Sequence, residues 1–312
     1  MRKKLLAIGA VAVTMTVALT GCEKDSDSGA TAGDTVASGL IMGGPPEFKT
    51  RTDGIPGLER IYGVEFGKYT VTDVGGPVTV NALLRGQVDA ADLFTTDPSI
   101  EANGFVVLED DKHMFAAQNI VPIISKEKNT PAVTEILNGI QAKLTTDEIS
   151  AMLDQVYNDK ADPTDVAGQW LSDQGLDTTG TDAEGVSLTV GSANFPENEI
   201  LAEIYAQALE AHGATITTKL NIGSREKYLP ALEQGSLDLF PEYNGTLLSF
   251  LDESSTATAT EDVDADLAKA LPDNLEALDS AEAQDSDAIV VTQETADKYD
   301  LTTIGDLAEP VS

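Results

Sequence analysis

Nucleophilic and metal chemistry lean on cysteine and histidine, and this sequence offers one cysteine, Cys22, and two histidines, His113 and His212. A cysteine zinc site, a disulfide, a histidine triad and a multi-histidine metal centre all lack their residues, and no metal or other cofactor is expected. His212 closes an amphipathic stretch just before Gly213, where histidine supports a last helical turn, and His113 lies in the polar turn Glu109-Asp110-Asp111-Lys112-His113. Asp262, Asp264 and Asp266 have the spacing that opens a calcium loop. Leu267 stands where that loop needs glycine, so they read as the acidic start of a helix from near Thr260. The remaining chemistry belongs to 53 carboxylates. Acid–base pairs among them keep an exported enzyme open as a function class, although no nucleophile elbow or metal spacing is recognisable.

Binding is better served. Leu83-x-x-Gly86-x-Val88-Asp89 is followed five residues later by Phe94, and Leu232-x-x-Gly235-x-Leu237-Asp238 is followed five residues later by Tyr243. Each reads as a helix end, a glycine stop, a short buried strand and an aromatic just past its carboxyl end. Ligands of open α/β sheets bind outside the carboxyl ends of strands. Two lobes built alike would present Phe94 and Tyr243 across a shared cleft.

The elements that would position these residues alternate along the chain. Strands are expected at "GLIMGG", "FVVLED", "NIVPIIS", "SLTVGS", "ATITTKLNI" and "SLDLF", and short helices at Pro56 to Tyr62 and Val78 to Leu84. Three helices in series start at Thr130-Pro131, at a capping box of Thr145 with Glu148, and at Asp162-Pro163, each with an apolar stripe that reads as core. Another helix follows Asn194, one starts at Ser224, and a turn is expected from Pro241 to Gly245. The alternation predicts α/β lobes with mixed, mainly parallel sheets.

Residues 1–21 form a basic start and an uncharged apolar run, and with Leu19-Thr20-Gly21-Cys22 they read as a lipoprotein signal in which the Cys22 thiol takes the lipid. Residues 22–38 make a flexible tether with a reach of about 20 Å. The expected location is the outer face of the cell membrane. The net charge of −34 becomes more negative once Arg2, Lys3 and Lys4 are removed, which excludes nucleic acid as a partner and disfavours anionic lipid headgroups.

The segments "GSANFPENEILAEIYAQALEAHG" and "NIGSREKYLPALEQGSLDLFPEYNGTLLSFL" resemble the first half of the ProX/OpuAC-like binding proteins, the extracytoplasmic subunits of ABC importers for glycine betaine and choline. "GGPPEFKTRTDGIPGLERIYG", "VDAADLFTTD", "VVLEDDKHMF" and "WLSDQGL" resemble that family's second half. The order is reversed here, so the chain looks like a circularly permuted member, with the polar linker at 177–185 joining the family's usual ends. A rearranged tandem pair is the alternative. The resemblance implies a two-lobe periplasmic-binding-protein fold of type II, one lobe from 39–116 plus 290–312 and the other from 117–289. It implies a monomer that takes a small osmolyte and docks on a permease with its ATPase.

Residues matching the family's ligand motifs are Tyr243 and Thr246 in "PEYNGT", Arg51 in "KTRTDG" and Phe94 in "LFTTD", with Asn194 and Phe195 in the "GSANF" turn. Arg51 read alone could equally be a surface ion pair with Asp53. The chain departs from the family at Ala193, where lysine is common, at Phe94, where tyrosine is usual, and at Gln118, Asn119 and Asp287, where aromatics are frequent. The implied aromatic box is incomplete, and polar contacts from Gln118, Asn119 and Asp287 are expected instead. A sensor whose closed form meets a membrane receptor is a further alternative.

Overall fold

The computed structural model describes residues 35–311 except Val74 and Glu253, so the signal segment, Cys22 and most of the tether lie outside the described residues. Short apolar runs ended by glycine or polar turns form ten strands here: β1 (Ile41–Gly44), β2 (Lys68–Val71), β3 (Ala90–Phe94), β4 (Phe105–Val107), β5 (Ile120–Ser125), β6 (Ser187–Gly191), β7 (Thr215–Lys219), β8 (Leu239–Tyr243), β9 (Leu275–Ala277) and β10 (Asp287–Thr292). They make two five-stranded sheets, ordered β2-β1-β3-β10-β4 and β7-β6-β8-β5-β9.

The two orders are one topology used twice. In the first sheet β1 is parallel to β2 and β3, while β10 runs antiparallel to both β3 and β4. In the second, β6 is parallel to β7 and β8, while β5 runs antiparallel to β8 and β9. The reversed strand is in each case the one by which the chain enters that lobe. This is the mixed two-lobe α/β fold of type II, and it makes β3 and β8 equivalent, ending on Phe94 and Tyr243.

Helices cover the sheets for local reasons. Thr130, Thr145 and Asp162 cap the helices Pro131–Gln141, Thr146–Tyr157 and Pro163–Asp173, each accepting a backbone N–H of the first turn. These three and the helix Pro196–Ala211 close a core of Leu137, Met152, Trp170, Leu201 and Tyr205 over β5, β6 and β8. The other lobe buries Met42, Phe48, Leu58, Ile289 and Val291.

Three expectations need correction. The second half of the capping box does not form: Glu148 instead accepts Trp170 Nε1–H at 2.8 Å, because the tryptophan in the next helix needs a partner. No turn separates Pro241 from Gly245, since β8 runs to Tyr243 and the helix Asn244–Leu251 begins at once. Gly245 permits that abrupt junction, as a Cβ there would lie 2.2 Å from the Ala117 carbonyl oxygen. Residues 287–289 belong with the first sheet, because β10 pairs with β3 from Asp287 opposite Phe94 onward.

The linker at 177–185 is fastened to the end of the helix Pro196–Ala211, with Gly180 N–H donating to Ala211 O and Ala183 N–H to His212 O. Where the described chain starts and stops, Thr35 bridges Pro310 and Val36 N–H donates to Glu309 O at 2.9 Å.

Candidate functional site

The lobes meet where the chain crosses between them, at Phe115 to Asn119 and at Gln284 to Ser286. The crossings run side by side, with a bridge from Asn119 to Gln284 and Asp285 N–H donating to Gln118 O. The segment just past β3 is tied to them. Thr95 N–H donates to Ser286 O at 2.9 Å, Thr95 Oγ1 donates to Gln284 O at 2.8 Å, and Thr96 Oγ1 donates to Asp285 Oδ1 at 2.7 Å. Beside this seam lies a cavity of about 430 Å³, walled by Glu109, Asp110, Phe115 and Asp287 from one lobe and by Thr146, Thr258 and Thr260 from the other.

Carboxyl groups dominate the seam. Glu197, in the first turn of the helix Pro196–Ala211, is buried and accepts Tyr243 O–H at 2.6 Å. Burial first, and then the charge of Asp285, push the Glu197 carboxyl well above its ordinary value, although hydroxyl donors from Tyr243 and Thr96 work against them. Burial and Glu197 likewise push the Tyr243 hydroxyl up. Asp285 is raised to about 6, mainly by burial. In β3, Asp92 is raised to about 9 by burial and by Asp287, and its Oδ1 has no hydrogen-bond partner.

Arg51 faces this acid pair. Its Nη2 lies 2.7 Å from Asp287 Oδ1 and its Nε 3.2 Å from Asp53 Oδ1, with N–H directions that miss the oxygens, so these are contacts of charge. Burial opposes the guanidinium charge, but Asp287 and then Asp53 outweigh it and hold Arg51 charged more firmly than usual. The guanidinium also stacks 4.9 Å over Phe48.

The residues read from sequence are distributed unevenly over this geometry. Arg51 and Asp287 come together, and of all nine only Asp287 walls the cavity. Phe195 is exposed with its ring 6.2 Å from Tyr243, and Asn194 beside it is exposed. Phe94 packs toward Gly75 in its own lobe. Gln118 Oε1 accepts Thr246 N–H at 3.0 Å, and Thr246 Oγ1 accepts from Arg225, which pairs bidentately with buried Glu242 at 2.8 Å. Asn119 spends its side chain inside the fold, donating to Ala281 O and accepting from Thr260 Oγ1, so it turns no polar atom to the cleft. Sequence reasoning missed Glu197, Asp285, Asp92 and Thr96. Their signal was weak but present: two acids within a helix first turn, and hydroxyls directly past a strand's carboxyl end.

A profile of the family described as the substrate binding domain of ABC-type glycine betaine transport system matches residues 11–173 and 186–312. The chain belongs to that family. Among its relatives are a glycine-betaine-binding protein of Pseudomonas aeruginosa, 27% identical over 144 residues (46% of each chain), and the glycine betaine-binding protein YehZ of Escherichia coli, 32% identical over 125 residues (39% of this chain, 41% of the relative). The carnitine transport binding protein OpuCC of Listeria monocytogenes is 26% identical over 121 residues (38% and 39%). The aligned part thus spans less than half the length of each of these relatives. Family and relatives are substrate-binding transport proteins rather than enzymes. Among the described residues no cluster of His, Cys, Asp or Glu could hold a metal ion, and no helix is long and apolar enough to cross a membrane.

Proposed function

We propose that this protein is the extracytoplasmic solute receptor of an ABC importer, capturing a small quaternary-ammonium solute of the glycine betaine, choline and carnitine class between its lobes. The observation that carries the reading is the family match over both halves of the chain, with two like lobes meeting at an acidic seam. A quaternary ammonium has no proton to donate, so it is held by aromatic faces and carboxylates. Tyr243 and Phe195 supply the first, and Asp285 and Asp287 the second. Solute bound between the lobes favours the closed form, and the closed form docks on the permease and its ATPase. Lipid on Cys22 keeps this monomer at the outer face of the cell membrane.

The family's two halves stand here in exchanged order, joined through the linker at 177–185. The break in the family match between residues 173 and 186 supports this, as does the limit of each relative's alignment to under half the chain. The bridge from Thr35 to Pro310 supports it too, since a permutation needs its old junction close in space.

Calorimetric titration of the full chain with glycine betaine, choline and carnitine tests the reading. Saturable binding of at least one, weakened at least about tenfold in Tyr243→Ala, is expected. A folded protein that gives no heat with any of them would overturn it.

A further inference from the structure

The charges around the seam are lopsided in a way that selects among such solutes. Arg51 is the guanidinium beside the cavity, and it already has Asp287 at 2.7 Å and Asp53 at 3.2 Å. Behind Asp287 sits Asp92, almost fully buried, with one oxygen unpartnered. The nearby Arg225 is committed to Glu242. Among the described residues no lysine or arginine lines the cavity, while Glu109, Asp110 and Asp287 do, with His113 as the one other titratable side chain on its wall.

Helix N-termini could replace arginine as holders of an anion, but those at the seam carry acids or internal acceptors of their own, Glu197 and Glu199 in the helix Pro196–Ala211 among them. The helices Thr146–Tyr157 and Thr260–Ala270 reach the cavity with Asp147, Glu148, Glu261 and Asp262 in their first turns. At the helix Asn244–Leu251, Gly245 N–H donates to Asn244 Oδ1 and Thr246 N–H to Gln118 Oε1.

Resting on the reading that the interlobe cleft holds a quaternary-ammonium solute, we infer that this solute is a net cation without a carboxylate of its own. A zwitterion must bring its carboxylate to a place where the available cation is already shared by two carboxylates. Like charges at such range repel, most strongly away from water. A cation meets the opposite situation, because Glu109, Asp110 and Asp287 wall the cavity it would enter. The named relatives are binders of glycine betaine and carnitine, both of which carry a carboxylate, so the inference separates this chain from them.

The test is a ligand series on the full chain at neutral pH: choline, glycine betaine, and glycine betaine methyl ester, which keeps the betaine skeleton while removing its negative charge. Choline and the ester should bind at least about tenfold tighter than glycine betaine. In Asp287→Asn, Arg51 gains a free edge, so the preference for choline over glycine betaine should shrink. The native series decides the matter even if that variant does not fold. Glycine betaine binding as tightly as choline, or no tighter binding by the ester, would overturn the inference while leaving the solute reading intact. No binding by any of the three, nor by carnitine, would remove that reading and the inference together.

Discussion

Asp92 is a buried carboxyl group with one oxygen that has no hydrogen-bond partner. It lies in β3 on the face that carries Ala90, diagonal across the pairing from Asp287, with Tyr69 and Arg51 as its other polar neighbours. Its carboxyl is raised from 3.8 to about 9, so the folded chain keeps a proton that the unfolded chain gives up. The sign follows from linkage. Between those two values the folded state binds more protons, so the contribution of Asp92 to stability is complete below about 4 and is lost as pH rises through about 9. Asp285 acts in the same direction up to about 6. The melting temperature should therefore fall from pH 5 to pH 9. Asp92→Asn retains a hydrogen-bond donor but cannot ionise, so its melting temperature should fall by less over the same range. Parallel curves for the two proteins would mean that Asp92 ionises as an ordinary carboxyl group.

The repeated unit of helix end, glycine, strand and aromatic decides how each element delivers its last residue to the seam. Gly86 and Gly235 both adopt left-handed backbone, at φ 63° and 71°, and neither has an atom within 4 Å of where a Cβ would stand. An alanine at either site meets no clash and only the left-handed penalty, about 1 kcal/mol. Gly86→Ala and Gly235→Ala should each lose roughly that much in urea unfolding, with choline affinity unchanged in both. A loss several times larger would mean that the turn is held by more than backbone conformation. These elements were legible because their signals are local: a capping side chain, a glycine stop, an apolar stripe. The Glu148 contact was not, since the capping-box pattern is complete within four residues while Trp170 arrives from 22 residues away. Asp285 and Thr96 meet across 189 residues, which no local pattern encodes. The boundary at Asp287 was missed for the same reason, because only pairing with β3 shows where the crossing ends and the strand begins.

Each lobe is a closed topological unit, and the two crossings are what make them one molecule. Neither Thr35 with Pro310 nor the linker at 177–185 belongs to those crossings, so the order in which the chain visits the lobes is separable from the fold. Equilibrium stability depends on contacts and on loop closure, and closure free energy changes only slowly with loop length. A chain that starts at residue 186, runs to 311, continues through a short Gly/Ser join into residue 35 and ends at 176 keeps every strand pairing of both sheets. It gives up the fastening of the linker to the end of the helix Pro196–Ala211, including Ala183, whose side chain is fully buried. That loss should cost about 1–2 kcal/mol, within the range for a few hydrogen bonds and one small buried side chain. The reordered protein should therefore fold, melt somewhat lower than the native chain and bind the same solute with the same affinity. Folding with binding abolished would mean that the linker end of the second lobe holds the seam in place. Failure to fold would mean that the native order is itself required, and the account of this chain as a permuted family member would fall with it.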